Sequence, residues 1–369
     1  MKRRQLFTLL LALAIIFSFT ACSSSKDANG NTKNTRIVTD AQGREVEIPA
    51  DVETIICLGS GAPRIAAYLD VIDMIIGAEE YLSQGVNVAR DYNPVNHAKL
   101  VDLPFVGEGG GSGNNNGYPE EIITVAPDVI LAGFDLEAAD ELQSQTGIPV
   151  VSVRHTTGLA PDEFYNAMRI FAEVVGAQER CEMLLSYIDD MKEDLHNRTV
   201  DIPEDDKLRA YAGAITWNGA RGFSGTYSVF DIFEAINAHN VAYDESIPAF
   251  YEADLESIVV WDPDIIFLDP GNMDLVNGDY ATNPNFFNSL KAVQADEVYT
   301  MPAFNSAGTN ITYAFMDTYF AGTALFPEQF ADIDIAQKSE EILTTFLGVN
   351  TYDAMAEGGL YYGKIKIGE

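Results

Sequence analysis

Basic residues are scarce. The chain has 369 residues, with 22 lysines and arginines against 56 aspartates and glutamates, a formal charge of -34 at pH 7. Such a field repels polyanions and excludes nucleic acid as a partner. Histidine is scarcer still. His97, His155, His196 and His239 fall in separate segments, so they supply no convergent set for a bare transition metal. Three cysteines, Cys22, Cys57 and Cys181, exclude a disulfide framework and a zinc-ligand spacing. Cys57 lies in an apolar run and Cys181 in a helical one. They either pair or stay as two buried thiols, and buried thiols are the expectation. Hydrolase machinery is missing too. Gly222-Phe223-Ser224-Gly225-Thr226 fails the G-x-S-x-G elbow because its second glycine comes one place early. No serine or cysteine is set beside a nominated base.

Long apolar runs are absent except at the N-terminus. Lys2, Arg3 and Arg4 precede an apolar stretch over residues 6–19, followed by Thr20-Ala21-Cys22. The stretch is short for a bilayer span and reads as a secretory signal over 1–21. The site resembles a bacterial lipobox, with Phe19 where leucine is usual, which implies lipidation of Cys22. Residues 22–35 are Ser/Asn/Lys/Asp-rich and read as a flexible tether that holds a folded body off a membrane. The protein is therefore expected outside the cytoplasm, on the outer face of the cytoplasmic membrane (cell surface or periplasm).

Beyond the tether, short apolar runs alternate with amphipathic segments, the pattern of α/β layers. Strands are expected at 45–48, 54–58, 74–77, 105–106, 129–132 and 150–153, and again at 208–215, 265–268 and 298–301. Helices are expected at 64–69, 120–125, 137–146, 228–236, 255–260, 310–325 and 335–346. Residues 161–197 carry apolar side chains at helical spacing throughout, with Gly176 as a possible break. One echo recurs at an offset of 136. Glu120-Glu121-Ile122-Ile123-Thr124-Val125-Ala126-Pro127-Asp128-Val129-Ile130-Leu131 reads like Glu256-Ser257-Ile258-Val259-Val260-Trp261-Asp262-Pro263-Asp264-Ile265-Ile266-Phe267. Each copy is a short helix, a Pro-Asp stop and a buried strand. Two copies flanking a long helix predict two similar lobes: an N-terminal α/β lobe over 36–160, an interlobe helix over 161–198, and a C-terminal α/β lobe over 199–369.

Thr39-Asp40-Ala41-Gln42-Gly43-Arg44-Glu45-Val46-Glu47-Ile48-Pro49, the paired Pro-Asp units, Asn218-Gly219-Ala220-Arg221-Gly222, Leu290-Lys291-Ala292-Val293 and Phe346-Leu347-Gly348-Val349-Asn350-Thr351-Tyr352 carry a resemblance over nearly the whole exported chain. The chain resembles the substrate-binding proteins of ABC importers for ferric siderophores, haem and cobalamin, within an iron-complex or metal subgroup. The resemblance implies two α/β lobes joined by a single long rigid helix, with ligand in the interlobe cleft. It implies a monomer, not an enzyme and without intrinsic cofactor, that hands its ligand to a permease dimer with a cytoplasmic ATPase. One glutamate per lobe would meet permease arginines, and by position these are Glu120 and Glu256.

Ligand contacts should lie on loops at the carboxyl ends of strands. Those loops nominate Ser60 and Arg64 in the first lobe, then Glu79-Glu80-Tyr81, and the Gly/Asn-rich stretch from Gly107 to Tyr118. In the second lobe they nominate Trp217, Arg221, Phe223 and Tyr227, then residues 269–272, and 305–313 with Tyr313. Aromatic rings offer contact area at low entropy cost and arginine offers a fork for anionic oxygens, so Trp217 and Arg221 lead. His97 and His155 are the two histidines weighed as haem axial ligands. The expected ligand is a ferric siderophore, with haem second and cobalamin third, and a weakly charged hydroxamate complex suits the acidic field best.

Overall fold

Two all-parallel sheets, one in each half of the chain, form the frame of the molecule. The computed structural model describes residues 23–26, 32–109, 117–247 and 249–369. Cys22 and most of the Gly/Asn-rich stretch, residues 110–116, lie outside them. The described chain opens on an antiparallel sheet of β1 (Ser23–Lys26), β2 (Thr32–Thr39) and β3 (Glu45–Pro49). Regular pairing thus occupies part of the segment expected to be a tether. The turn between β2 and β3 is held by Asp40, whose Oδ1 accepts the Gln42 and Arg44 backbone N–H groups at 2.9 Å each.

β4 (Ile55–Leu58), β5 (Ile75–Glu79), β6 (Phe105–Gly107), β7 (Val129–Ala132) and β8 (Val150–Ser152) pair in the order β6-β5-β4-β7-β8. In the second lobe β9 (Arg209–Gly213), β11 (His239–Asn240), β13 (Ile265–Leu268) and β14 (Val298–Thr300) pair as β11-β9-β13-β14. β10 (Gly225–Tyr227) and β12 (Phe250–Glu252) form a separate antiparallel ribbon. Every residue of β4, β7 and β13 is buried, as parallel strands covered on both faces require.

The first lobe's helices are α1 (Ala62–Tyr68), α2 (Asn93–Leu100), α3 (Pro119–Val125) and α4 (Leu136–Thr146). The stretch expected as one interlobe helix is two: α5 (Asp162–Val175) and α6 (Gln178–Thr199). Gly176 causes the division, ending α5 in the left-handed region at φ 78°. The connecting helix is therefore α6 alone, 22 residues long. Then come α7 (Asp231–Ala235), α8 (Leu255–Trp261), α9 (Met273–Thr282), α10 (Pro284–Ser289), α11 (Lys291–Gln294), α12 (Ile311–Leu325), α13 (Ile335–Leu347) and α14 (Tyr352–Glu357).

The sequence echo is a structural repeat. α3 leads into β7 and α8 into β13. Each helix stops in a left-handed residue, Ala126 at φ 53° and Asp262 at φ 40°, directly before the proline that forbids continuation. Each following aspartate ties the neighbouring strand. Asp128 Oδ2 accepts the Thr54 N–H at 2.9 Å, and Asp264 Oδ2 accepts the Arg209 N–H at 2.7 Å. One apolar core runs through both lobes, from Ile55 and Tyr68 across Leu184 and Ile188 of α6 to Phe233 and Phe315. Separate clusters back the outer face of each sheet. A shared core of this kind makes the lobes one stiff body rather than two beads on a helix.

Candidate functional site

The carboxyl ends of both sheets point at a common cleft of about 990 Å³. β4, β7 and β8 deliver Ser60, Gly133, Phe134, Asp135, Arg154, His155 and Thr157 to one wall. β9 and β14 deliver Thr216, Trp217, Asn218, Gly219 and residues 305–308 to the other. Crevices at strand carboxyl ends are where open α/β sheets bind ligands. The lining combines hydroxyl and amide side chains (Ser60, Thr157, Thr216, Asn218, Asn305 and Ser306) with glycine and alanine, and with the rings of Trp217, Phe134 and His155. Its charges are one aspartate and one arginine, so the cleft escapes the acidic excess of the chain as a whole.

Close backbone contacts fix the first wall. At Gly133 a Cβ would stand 2.2 Å from the Ser60 carbonyl oxygen, and at Gly61 (φ 87°) it would stand 2.5 Å from the His155 ring. Only glycine admits these approaches. Beneath them Glu79 is buried and accepts the Gly59 N–H at 2.6 Å. Burial pushes its carboxyl up to about 7, against the opposing pull of that hydrogen bond and of Arg90. His155 Nδ1 lies 3.0 Å from the Val153 carbonyl. That contact makes Nδ1 the protonated nitrogen and leaves Nε2 as an acceptor. Burial lowers the His155 pKa, helped by Arg64 and opposed by the Val153 carbonyl, so the ring is neutral. Arg154 and Asp135 face each other at 3.8 Å, both about half exposed. Asp135 also caps α4 by accepting the Ala138 N–H at 3.0 Å.

Aromatic packing fixes the second wall. Trp217 stacks on Phe250 with centroids 6.2 Å apart and 18° between planes, and meets Tyr227 edge-on at 5.9 Å. Arg221 Nε donates to the Trp217 carbonyl at 2.9 Å, and its guanidinium lies 5.3 Å from the Phe250 centroid. The turn closes through Asn218 (φ 48°) and Gly219, with the Trp217 N–H on the Gly219 carbonyl at 3.0 Å. Below, Asp269 accepts the Thr216 hydroxyl at 2.6 Å.

Among the nominated ligand contacts, Ser60 and Trp217 line the cleft. Arg221 and Tyr227 do not, and they brace Trp217 from behind. Phe223 is a correction: it is fully buried against Tyr211, Phe286 and Phe287. Tyr313 is another, fully buried with its hydroxyl on the Val88 carbonyl at 2.8 Å. Arg64 is 2 % exposed and pairs with the buried Asp91 at 2.9 Å. Its other nitrogens donate to the Ser306 and Ala307 carbonyls and to Asn310 Oδ1, at 2.8, 3.0 and 2.7 Å. Arg64 therefore ties the first lobe to the loop that forms the far side of the cleft. Tyr118 is outside the lining and donates to Glu80 at 2.8 Å. Glu120 and Glu256 are exposed in the first turns of α3 and α8.

Arg154, Asp135 and Thr157 went unnominated, and His155, weighed as a haem axial ligand, lines the cleft. Arg154 and His155 immediately follow the strand expected at 150–153, and the carboxyl-end rule reaches them. His97 sits on the Leu82 carbonyl at 2.9 Å, and His239 on Glu204 at 2.5 Å. Cys57 and Cys181 are both free and buried. Among the described residues no three His, Cys, Asp or Glu side chains converge as a metal site, and no helix is long and apolar enough to cross a membrane.

Residues 75–303 match the family model described as periplasmic binding protein. The chain belongs to that family. The periplasmic binding protein fold extends over nearly all of the described chain. A periplasmic solute-binding protein from Veillonella parvula superposes with a TM-score of 0.68 at 20 % identity, covering 89 % of this chain and 97 % of its own. Among curated relatives, the molybdate-binding protein MolA of Haemophilus influenzae is 25 % identical over 320 residues, 81 % of this chain and 87 % of its own length. The Fe(3+)-citrate-binding protein YfmC of Bacillus subtilis is 22 % identical over 298 residues, covering 79 % and 86 %. These relatives bind solutes and are not enzymes.

Proposed function

We propose that this periplasmic binding protein is the lipid-anchored capture subunit of an ABC importer for an iron complex. One observation carries the reading: a polar cleft of about 990 Å³ lies between the carboxyl ends of two equivalent sheets. Cys22 would carry the anchor, and Glu120 and Glu256 would meet the permease dimer. Trp217 and Ser60 would touch the ligand directly, while Arg221 and Tyr227 would act through Trp217. The relatives that bind Fe(3+)-citrate and molybdate add a second reading, an oxygen-rich anion. Arg154 and the row of hydroxyls and amides favour it, since arginine and such donors suit anionic oxygens. Haem and cobalamin have less support, because two large apolar rings, Trp217 and Phe134, make thin walls for a flat macrocycle.

A thermal-shift screen of the chain from Ser23 tests the assignment, against ferric hydroxamates, ferric catecholates, ferric citrate, haemin, cobalamin and molybdate. A ligand at one hundred times its dissociation constant should stabilise the fold by about 2.7 kcal/mol. A shift with a ferric chelate supports the iron reading. A shift with molybdate alone replaces it by the oxyanion reading. No shift with any probe contradicts both.

A further inference from the structure

The repeated unit preserves more than its glutamates. On α3, Glu120 is followed at three and four residues by Ile123 and Thr124. On α8, Glu256 is followed at the same spacing by Val259 and Val260. This spacing puts each trio on one helix face, and all six residues are exposed. Ile123 is 51 % exposed, Val259 44 % and Val260 80 %. Of the thirteen large apolar side chains exposed among the described residues, four lie on these two seven-residue helices, Leu255 being the fourth. Thr124 fits the pattern despite its hydroxyl, which donates to the Glu120 carbonyl at 2.9 Å. With the hydroxyl bonded to its own helix, the side chain stands at the position of Val260.

Helix formation does not favour this choice. β-branched residues cost several tenths of a kcal/mol each against alanine at exposed helix positions, and about half of Ile123 and Val259 and most of Val260 stay exposed. Neither glutamate has an ion-pair partner among the described residues. Each helix also begins at the cleft end of its lobe, because it runs back against the strand that follows it. The same unpaired charge and the same apolar ridge thus flank the cleft on both sides.

We propose that Ile123 with Thr124, and Val259 with Val260, are two matched apolar ridges that seat in the two equivalent sockets of a two-fold symmetric permease dimer, each beside a basic group that receives the adjacent glutamate. The inference rests on the docking role proposed for Glu120 and Glu256. The two terms differ in kind. The glutamates steer and register the encounter, and the desolvated ridges slow dissociation.

The test uses the importer reconstituted in liposomes and its ATPase activity, stimulated by ligand-loaded binding protein. Changing Ile123, Thr124, Val259 and Val260 together to alanine should leave melting temperature and ligand affinity unchanged. The protein concentration for half-maximal stimulation should rise at least tenfold, with little dependence on salt. A half-maximal concentration within twofold of the parent overturns the ridges, provided Glu120→Ala with Glu256→Ala still abolishes stimulation. If the double glutamate variant also stimulates normally, the docking reading fails with them.

Discussion

The two lobes share a scaffold and differ in what they put at its edge. β5-β4-β7-β8 and β11-β9-β13-β14 have the same order, the same helix–Pro-Asp–strand unit and the same aspartate tie to the neighbouring strand. Their cleft walls have almost nothing in common. The first is built on glycine contacts and titratable groups: Glu79 below, His155 and the Arg154–Asp135 pair above. The second has no charged side chain in its lining, holds Asp269 buried below it, and rests on the Trp217–Phe250–Tyr227 cluster. Repetition survives in the frame and on the outer helices α3 and α8, while the loops between have diverged. Loops positioned by a rigid frame are where binding chemistry is free to change.

The sharpest way to break this comparison is at Arg64, where the lobes meet. Arg64→Ala strands the buried Asp91 without its cation. We expect a loss of roughly 3–5 kcal/mol in urea unfolding, the usual consequence of removing one partner of a buried pair. A loss under about 1 kcal/mol, the range of an ordinary surface change, would mean that Arg64 does not tie the lobes.

Glu79 tests whether the first wall depends on buried charge. Its folded pKa of about 7 lies above the ordinary 4.5, so the folded state keeps a proton that the unfolded chain releases. Its contribution to stability is complete below about pH 4.5 and is lost as pH rises to about 7. Glu79→Gln should match the parent near pH 4 and be more stable by roughly 3 kcal/mol at pH 8, measured by denaturant unfolding across that window. Parallel pH profiles would refute the assignment.

Arg154 and Asp135 should act with opposite signs. Arg154→Ala should weaken ferric citrate or molybdate about tenfold or more, the scale of one charged hydrogen bond, and leave a neutral ferric hydroxamate unaffected. Asp135→Asn keeps the helix cap and frees Arg154, so it should tighten the anions. Calorimetric titration of both variants reads this directly, and equal effects on neutral and anionic ligands would remove Arg154 from specificity. The smallest effect is expected at Arg221. Arg221→Ala should cost about 1 kcal/mol or less in affinity, and should broaden the emission of the tryptophan that it braces.

The frame was legible because it is local. Val129–Ala132 and Ile265–Leu268 are continuous apolar runs bounded by Pro-Asp, and the structure places strands on those same residues. Gly176 was visible as a break, but the pattern on either side reads as helix whether or not it is interrupted. The misread side chains depend on distant partners. Arg64 is buried because Asp91 and Asn310, 27 and 246 residues away, converge on it. Phe223 and Tyr313 are nominated because their segments follow strands, yet Phe223 packs inside an aromatic cluster and α12, which carries Tyr313, is buried on nearly every side. No local pattern reports such packing.

The central claim is that ligand bridges the two walls, and amide hydrogen exchange with and without the chelate that stabilises the protein tests it most directly. Protection should rise together at residues 59–61, 133–135 and 154–157 on one wall and at 216–219 and 305–308 on the other. Protection confined to one wall, or centred on Tyr118 and Arg221 outside the cleft, would contradict it.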